Sequence, residues 1–165
     1  MKETEHSVEQ QLVDLLREKH MTVTTAESLT GGLVAATIVD VPGASEVLRE
    51  AYITYAESSK MRILSVPEET IRLHGVVSER CARDMVKGVA ELAGADCAIS
   101  VTGIAGPDGG SIEKPVGTVF AGFKIRNRNW VREFHFDGDR KQVRRQTVQA
   151  VLEELLFQLR AVRIA

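Results

Sequence analysis

A chain of 165 residues is one domain's worth, because a second core would leave each half too small to hold itself together. Hydrophobic residues at 44% and charged residues at 27% exclude a disordered chain, and a formal net charge of −2 excludes a bulk field steering it to nucleic acid or membrane. Aromatic residues make up only 5%, so the core must come from Val, Ile, Leu and Ala, and the stacking platforms of single-strand nucleic-acid binders are lacking.

The stretch from Met1 to Gln11 is polar, with no apolar segment of the signal-peptide kind, and nothing later approaches the roughly 18 apolar residues of a membrane span. Cytoplasmic localisation is therefore expected. Residues 7–19 read as a helix: Ser7 is a cap with Gln10 three residues on, and Val8, Leu12, Val13, Leu15 and Leu16 form an apolar stripe. Met21 to Thr25 is β-branched and reads as a strand. Gly31 and Gly32 then precede a helix over Leu33 to Val39, closed by Val41-Pro42-Gly43.

Val47 to Tyr55 reads as a strand with imperfect alternation, and Ser58 to Leu64 as a short helix. Pro67 opens another helix that ends near His74-Gly75, where glycine suits a left-handed terminus. Ser78 caps a helix running to Leu92. Asp96 to Thr102 is the near-continuous apolar run of a central strand. After the Gly/Pro loop 103–117, Thr118 to Arg126 and Trp130 to Phe136 read as a hairpin about Asn127-Arg128-Asn129. Asp139 caps a long last helix with Val143, Val148, Val151, Leu152, Leu155 and Leu156 facing inward. The expected fold is α/β: a mixed, mostly parallel central sheet covered by helices on both faces, with a late β-hairpin and a long C-terminal helix.

Cys81 and Cys97 fall in a helix and a buried strand, as free thiols of a reducing compartment do. The four histidines are scattered without ligand spacing, so no metal and no cofactor is expected.

Chemistry in open α/β sheets gathers at the carboxyl ends of strands, and three polar clusters fall there. In Thr25-Ala26-Glu27-Ser28-Leu29-Thr30-Gly31-Gly32, Ser28 sits in a strand-to-helix turn, with the amides near Gly31, Gly32 and the helix start open to an anion or oxyanion. The plainer alternative is that Ser28 or Thr30 only caps the helix. This is no Gly-x-Ser-x-Gly elbow, since Ala26 and Thr30 stand where the glycines would. In Tyr55-Ala56-Glu57-Ser58-Ser59-Lys60, the lysine is either a base kept neutral by desolvation or a solvated surface group. The third cluster, Thr102-Gly103-Ile104-Ala105-Gly106-Pro107-Asp108-Gly109-Gly110 with Lys114-Pro115-Val116-Gly117, exposes backbone amides to an anion or forms a structural Ω-loop. It is neither a P-loop nor a good dinucleotide fingerprint. Residues 124–145 hold eight bases (Lys124, Arg126, Arg128, Arg132, Arg140, Lys141, Arg144, Arg145) against three acids (Glu133, Asp137, Asp139). Arg140, in the first turn of the last helix, opposes the macrodipole and so reads as a ligand-facing group. Lys141, Arg144 and Arg145 read as a solvated helix face.

In order along nearly the whole chain, Ala26-Glu27-Ser28-Leu29-Thr30-Gly31-Gly32, Gly75-Val76-Val77-Ser78-Glu79, the run Thr102 to Gly110 with Lys114-Pro115-Val116-Gly117-Thr118, and Phe136-Asp137-Gly138-Asp139-Arg140 resemble the C-terminal domain family of the competence-damage-inducible protein CinA. Stand-alone members of that family are nicotinamide-nucleotide amidases. The resemblance implies one amidase domain over residues 1–165, with no room for the molybdopterin-binding-like domain that precedes it in larger members. It implies hydrolysis of nicotinamide mononucleotide to nicotinic acid mononucleotide and ammonia, in pyridine-nucleotide salvage. Ser28 would be the nucleophile and Lys60 its base, with Tyr55 and Thr102 as supporting polar groups. Thr30, Gly31, Gly32, Gly103, Gly106, Gly109, Gly110 and Arg140 would form the substrate-binding surface. The expected partner is that small molecule, with no nucleic acid and no membrane, in a homo-oligomer. The alternative is a weak or inactive nucleotide-binding or interaction domain linked to competence or DNA damage. One departure bears on that choice: the family usually reads Tyr-Ser-Asn-x-x-Lys where this chain has Ala56 and Glu57, and a carboxylate beside Lys60 favours its charged form.

Overall fold

A computed structural model describes residues 6–164; residues 1–5, the start of the polar N-terminal stretch, lie outside it. The elements are α1 (Val8–Glu18), β1 (Val23–Glu27), α2 (Leu33–Val39), β2 (Tyr52–Ile53), α3 (Glu57–Leu64), α4 (Glu68–His74), α5 (Glu79–Ala93), β3 (Cys97–Gly103), β4 (Thr118–Ile125), β5 (Arg128–His135) and α6 (Arg140–Arg160). The strands form one sheet in the order β2-β1-β3-β4-β5. β1 pairs in parallel with β2 and β3, while β4 runs antiparallel to both its neighbours. Four of the five strands therefore point the same way, and β4 alone is reversed.

Helices cover both faces. On one, Cys97, Ile99 and Val101 of β3 pack with Leu12 and Leu16 of α1, Val34 and Ile38 of α2, and Leu152 and Leu155 of α6. On the other, Ala26 and Ala98 meet Cys81, Met85 and Val89 of α5 and Leu64 of α3. Burial from both sides is why the β3 segment reads as an unbroken apolar run.

The capping residues act as their sequence suggests. Ser7 accepts from the Gln10 amide, Ser78 from the Cys81 amide, and Asp139 forms a reciprocal capping box with Gln142.

Several boundaries differ from expectation, and β1, expected over Met21 to Thr25, runs two residues later, over Val23–Glu27. The strand expected over Val47 to Tyr55 shrinks to Tyr52–Ile53 plus a single bridge at Leu48. Residues 44–46 wind into a 3-10 turn, and the Thr24 hydroxyl donates to the Glu50 carbonyl, so a side chain serves part of the expected ladder. The hairpin turn lies earlier than Asn127–Asn129: pairing continues to Ile125 opposite Arg128, with Arg126 at φ 51. Gly75 has the positive φ expected at the end of α4, but its ψ of 169 is extended rather than left-handed helical.

Two close approaches place the site. A Cβ on Gly88 of α5 would lie 1.9 Å from the Leu64 carbonyl oxygen, so α3 crosses α5 at glycine distance. A Cβ on Gly122 of β4 would lie 2.5 Å from the Ala82 carbonyl oxygen, which brings α5 down onto the sheet.

Candidate active site

Side chains alternate along β1, and the alternation continues past its end. Ala26 and Ser28 face the α3–α5 layer, whereas Glu27 faces α2. Glu27 is buried, and its carboxyl oxygens accept from the Val34 amide at 2.8 Å and the Ala35 amide at 3.0 Å, with the Thr25 hydroxyl at 3.2 Å. This acceptor, supplied from the strand, does what the N-cap Gly32 cannot do for α2.

The expectation that the start of α2 offers free amides is therefore corrected. Val34 and Ala35 are spent on Glu27, the Leu33 amide donates to Thr30 and the Gly31 amide to Ser28. The Ser28 amide donates to the Val101 carbonyl. Among the described residues, the amides of Leu29, Thr30 and Gly32 donate to nothing, and of these residues only Gly32 is partly exposed. The Thr30 hydroxyl is also buried without a partner.

Lys60 projects from α3 toward this turn and is 1% exposed. Its Nζ lies 3.0 Å from Ser28 Oγ, 2.7 Å from the Thr54 carbonyl oxygen and 3.3 Å from that of Tyr55. Burial lowers its pKa from the ordinary 10.5, because an ammonium loses its water there. Cys81 and Glu57 push the other way, and burial outweighs both. The thiol of Cys81, itself buried, is pushed up to about 11.

Arg140 joins the second cluster to the third. Its guanidinium donates to the Tyr55 hydroxyl at 3.0 Å and to the Gly106 carbonyl at 2.8 Å. Tyr55 is exposed, and its hydroxyl meets Arg140, while its carbonyl meets Lys60. The Thr102 hydroxyl donates to the Val76 carbonyl at 2.7 Å, tying the end of β3 to the α4–α5 connection. Lys114 binds carbonyls of that same connection, at His74 and Val77. Gly103 packs against β4, where a Cβ would lie 2.8 Å from the Thr118 carbonyl oxygen. Gly109 and Gly110 stand on the exposed wall of the loop, beside a concavity of about 580 Å³ lined by residues such as Pro107, Ile112 and Val116.

The structure thus brings Ser28 and Lys60 to one point, with Thr30 two residues on in the same turn and Arg140 joining Tyr55 to Gly106 nearby. One expectation fails here. Arg144 is not part of a solvated face: it is half-buried, with Nε 2.9 Å from the Leu29 carbonyl oxygen and Nη2 3.0 Å from that of Thr30. Lys141 and Arg145 are exposed. Thr54 was also missed; its carbonyl holds Lys60, and its hydroxyl is buried without a partner. The one signal for Arg144 is its spacing of four from Arg140, which puts both on one helix face. Among the described residues, no group of three or more His, Cys, Asp or Glu side chains is placed to hold a metal ion, and no helix is long and apolar enough to cross a membrane.

The family model of the CinA C-terminal domain matches residues 5–159. A Clostridium perfringens protein named for competence-damage inducibility is 48% identical over 160 residues, covering 97% of this chain and 39% of its own length. A CinA-like protein of Dictyoglomus turgidum is 45% identical over 142 residues, covering 86% of this chain and 34% of its own. The chain thus spans under half the length of these relatives. Among solved structures, a CinA superfamily protein of Klebsiella pneumoniae superposes with a TM-score of 0.91 at 32% identity, over 94% of this chain and 97% of the other. The competence/damage inducible protein CihA of Agrobacterium tumefaciens gives 0.86 at 36% identity, over 97% and 99%. Matched in sequence over nearly its whole length and in fold at these scores, the chain belongs to the CinA C-terminal domain family.

Proposed function

We propose that the protein is an amidase that hydrolyses the carboxamide of nicotinamide mononucleotide to nicotinic acid mononucleotide and ammonia. The observation that carries the reading is a lysine buried to 1% exposure with its Nζ 3.0 Å from the half-buried Ser28 Oγ. A neutral amine has two N–H groups and one lone pair. With the two N–H groups directed to the carbonyls of Thr54 and Tyr55, the lone pair is left for the Ser28 hydroxyl proton.

The steps follow from that arrangement. Lys60 takes the proton as Ser28 Oγ attacks the amide carbon. The tetrahedral oxyanion is met by a turn amide that donates to nothing else, that of Leu29 or Gly32. The intermediate collapses with loss of the nitrogen, which receives the proton from Lys60 and leaves as ammonia. Water, deprotonated by the again neutral Lys60, attacks the acyl-serine; the acid departs and the proton returns to Ser28. The nucleotide as substrate rests on the resemblance of the motifs and on family membership.

A second reading, a nucleotide-binding domain without turnover, is favoured by Glu57, which pushes Lys60 toward the charged form. Ammonia release from nicotinamide mononucleotide separates the two. Release by the wild type and none by Ser28→Ala is the expected result. No release above background by the wild type, with binding seen by calorimetry, supports the second reading. Equal release by both proteins removes Ser28 from the nucleophile's role.

A further inference from the structure

We infer that β5 is a self-complementary edge, along which a second copy of the chain pairs antiparallel about a two-fold axis at Val131. β5 is the last strand in the sheet order and eight residues long. It pairs with β4 without a break, from Thr118 opposite His135 to Ile125 opposite Arg128. It carries no proline, lysine or bulge, the usual devices that blunt an edge. The opposite edge, β2, is two residues long and needs none.

The register says which groups are open. In a hairpin with two turn residues, the closing pair Ile125 and Arg128 exchanges both hydrogen bonds, and bonded pairs recur at every second residue. The Phe136 amide, which donates to the Gly117 carbonyl at 3.0 Å, keeps the same parity. Even-numbered residues of β5 therefore spend their backbone groups on β4. The amides and carbonyls of Asn129, Val131, Glu133 and His135 face outward, and among the described residues nothing bonds them.

The side chains around this edge are those of an interface. Aromatic residues are only 5% of the chain, yet Trp130 and Phe134 stand half-buried on the α6 side of β5, and Phe157 of α6 is 68% exposed. Phe157 follows Glu154 by one turn, and Glu154 accepts from the Trp130 indole at 2.9 Å and from Arg132 Nε at 3.1 Å. Exposed aromatic and arginine side chains are what protein interfaces concentrate. The charges do not bar an approach, because each is engaged on its own copy. Arg132 is held by Glu154, Arg128 lies over the Trp130 ring at 4.5 Å, and Glu133 is bonded to His135.

The same residues select the partner. Outward residues must oppose outward residues in a bonded pair, so the axis falls on a residue. Centred on Trp130, it would set Arg128 against Arg132; centred on Arg132 or Glu133, it would set that charge against itself. Centred on Val131, Asn129 meets Glu133, Trp130 meets Arg132 and Arg128 meets Phe134, with no like charges opposed. A fit of this symmetry suits a second copy rather than an unrelated strand.

The test is sedimentation equilibrium of the full chain as wild type, Val131→Lys, Val131→Glu and an equimolar mixture of the two variants. The wild type should show twice the mass of one chain. Each variant opposes like charges at the axis and should be monomeric, and the mixture should recover the dimer. A monomeric wild type, a dimer kept by either variant alone, or a mixture that stays monomeric would each overturn the inference. Should a variant fail to fold, amide exchange of the wild type decides. The outward amides of Asn129, Val131 and Glu133 should be as protected as the inward amides of Trp130 and Arg132. Fast exchange confined to the outward set would overturn the inference.

Discussion

Lys60 Nζ and Ser28 Oγ meet at 3.0 Å across the gap between α3 and the end of β1, and Lys60 is almost wholly buried. A base in that place must be able to release its proton. Lys60→Arg keeps a cation but not that ability, so turnover of nicotinamide mononucleotide should drop by at least about 10²-fold. Lys60→Met, which removes the amine, should lose turnover equally while staying folded by circular dichroism. Activity retained in the arginine variant would exclude Lys60 as base.

The buried amine also makes stability depend on pH. The folded pKa lies below the ordinary 10.5, so between the two values the unfolded chain holds a proton that the folded chain does not. Unfolding free energy therefore rises with pH across that window. Below the folded pKa, the cost of a buried ammonium is present in full; it declines across the window and is gone above the ordinary 10.5. In urea titrations at successive pH values, the wild type should gain on Lys60→Met through the alkaline range up to about 10.5. A constant difference between the two would contradict the argument. kcat/KM should climb with pH through the same lowered pKa. The thiol of Cys81, at about 11, titrates above it, so Cys81→Ala should leave that limb in place.

Glu57 opposes burial by favouring the ammonium, and it is exposed at the first turn of α3. Glu57→Asn removes the carboxylate and keeps a polar side chain. Without the carboxylate, the pH profile of kcat/KM should move to lower pH, with a gain of several-fold at neutral pH and KM little changed. A profile that stays put would show the charge to be screened by solvent.

Gly88 sets the depth at which α3 rests on α5. In Gly88→Ala the added methyl would meet the Leu64 carbonyl 1.9 Å away, and backbone cannot rotate aside as a side chain can. A loss of about 1–3 kcal/mol in stability is expected, with turnover reduced beyond it because Lys60 moves with its helix. Gly94→Ala, where nothing lies within 4 Å, serves as the comparison. It should cost about 1 kcal/mol for its left-handed backbone and leave turnover intact. Equal activity in both variants would separate α3 placement from catalysis.

Much of this arrangement can be read before any coordinates. Caps such as Ser7, Ser78 and Asp139 and the apolar stripes of α1 and α6 depend on local spacing, and local spacing is what a sequence displays. The three polar clusters stand out because glycines and polar groups gather at strand ends. Contacts to backbone carbonyls are harder to read, since a carbonyl carries no residue type. Thr54 holding Lys60, Val76 receiving Thr102, and Leu29 and Thr30 receiving Arg144 are all of that kind. Beside Lys141 and Arg145, Arg144 looks like one more charge on a wet helix. The short β2 was misjudged for a related reason, because the Thr24 hydroxyl replaces a ladder bond.

The bond from Arg144 to Leu29 spans 115 positions of chain, whereas that from Lys60 to Ser28 spans 32. During synthesis Ser28 and Lys60 both leave the ribosome before α6 does. The turn that carries Ser28 receives its last restraint only when that helix docks. Ordering of the Ser28 turn is thereby tied to completion of the fold.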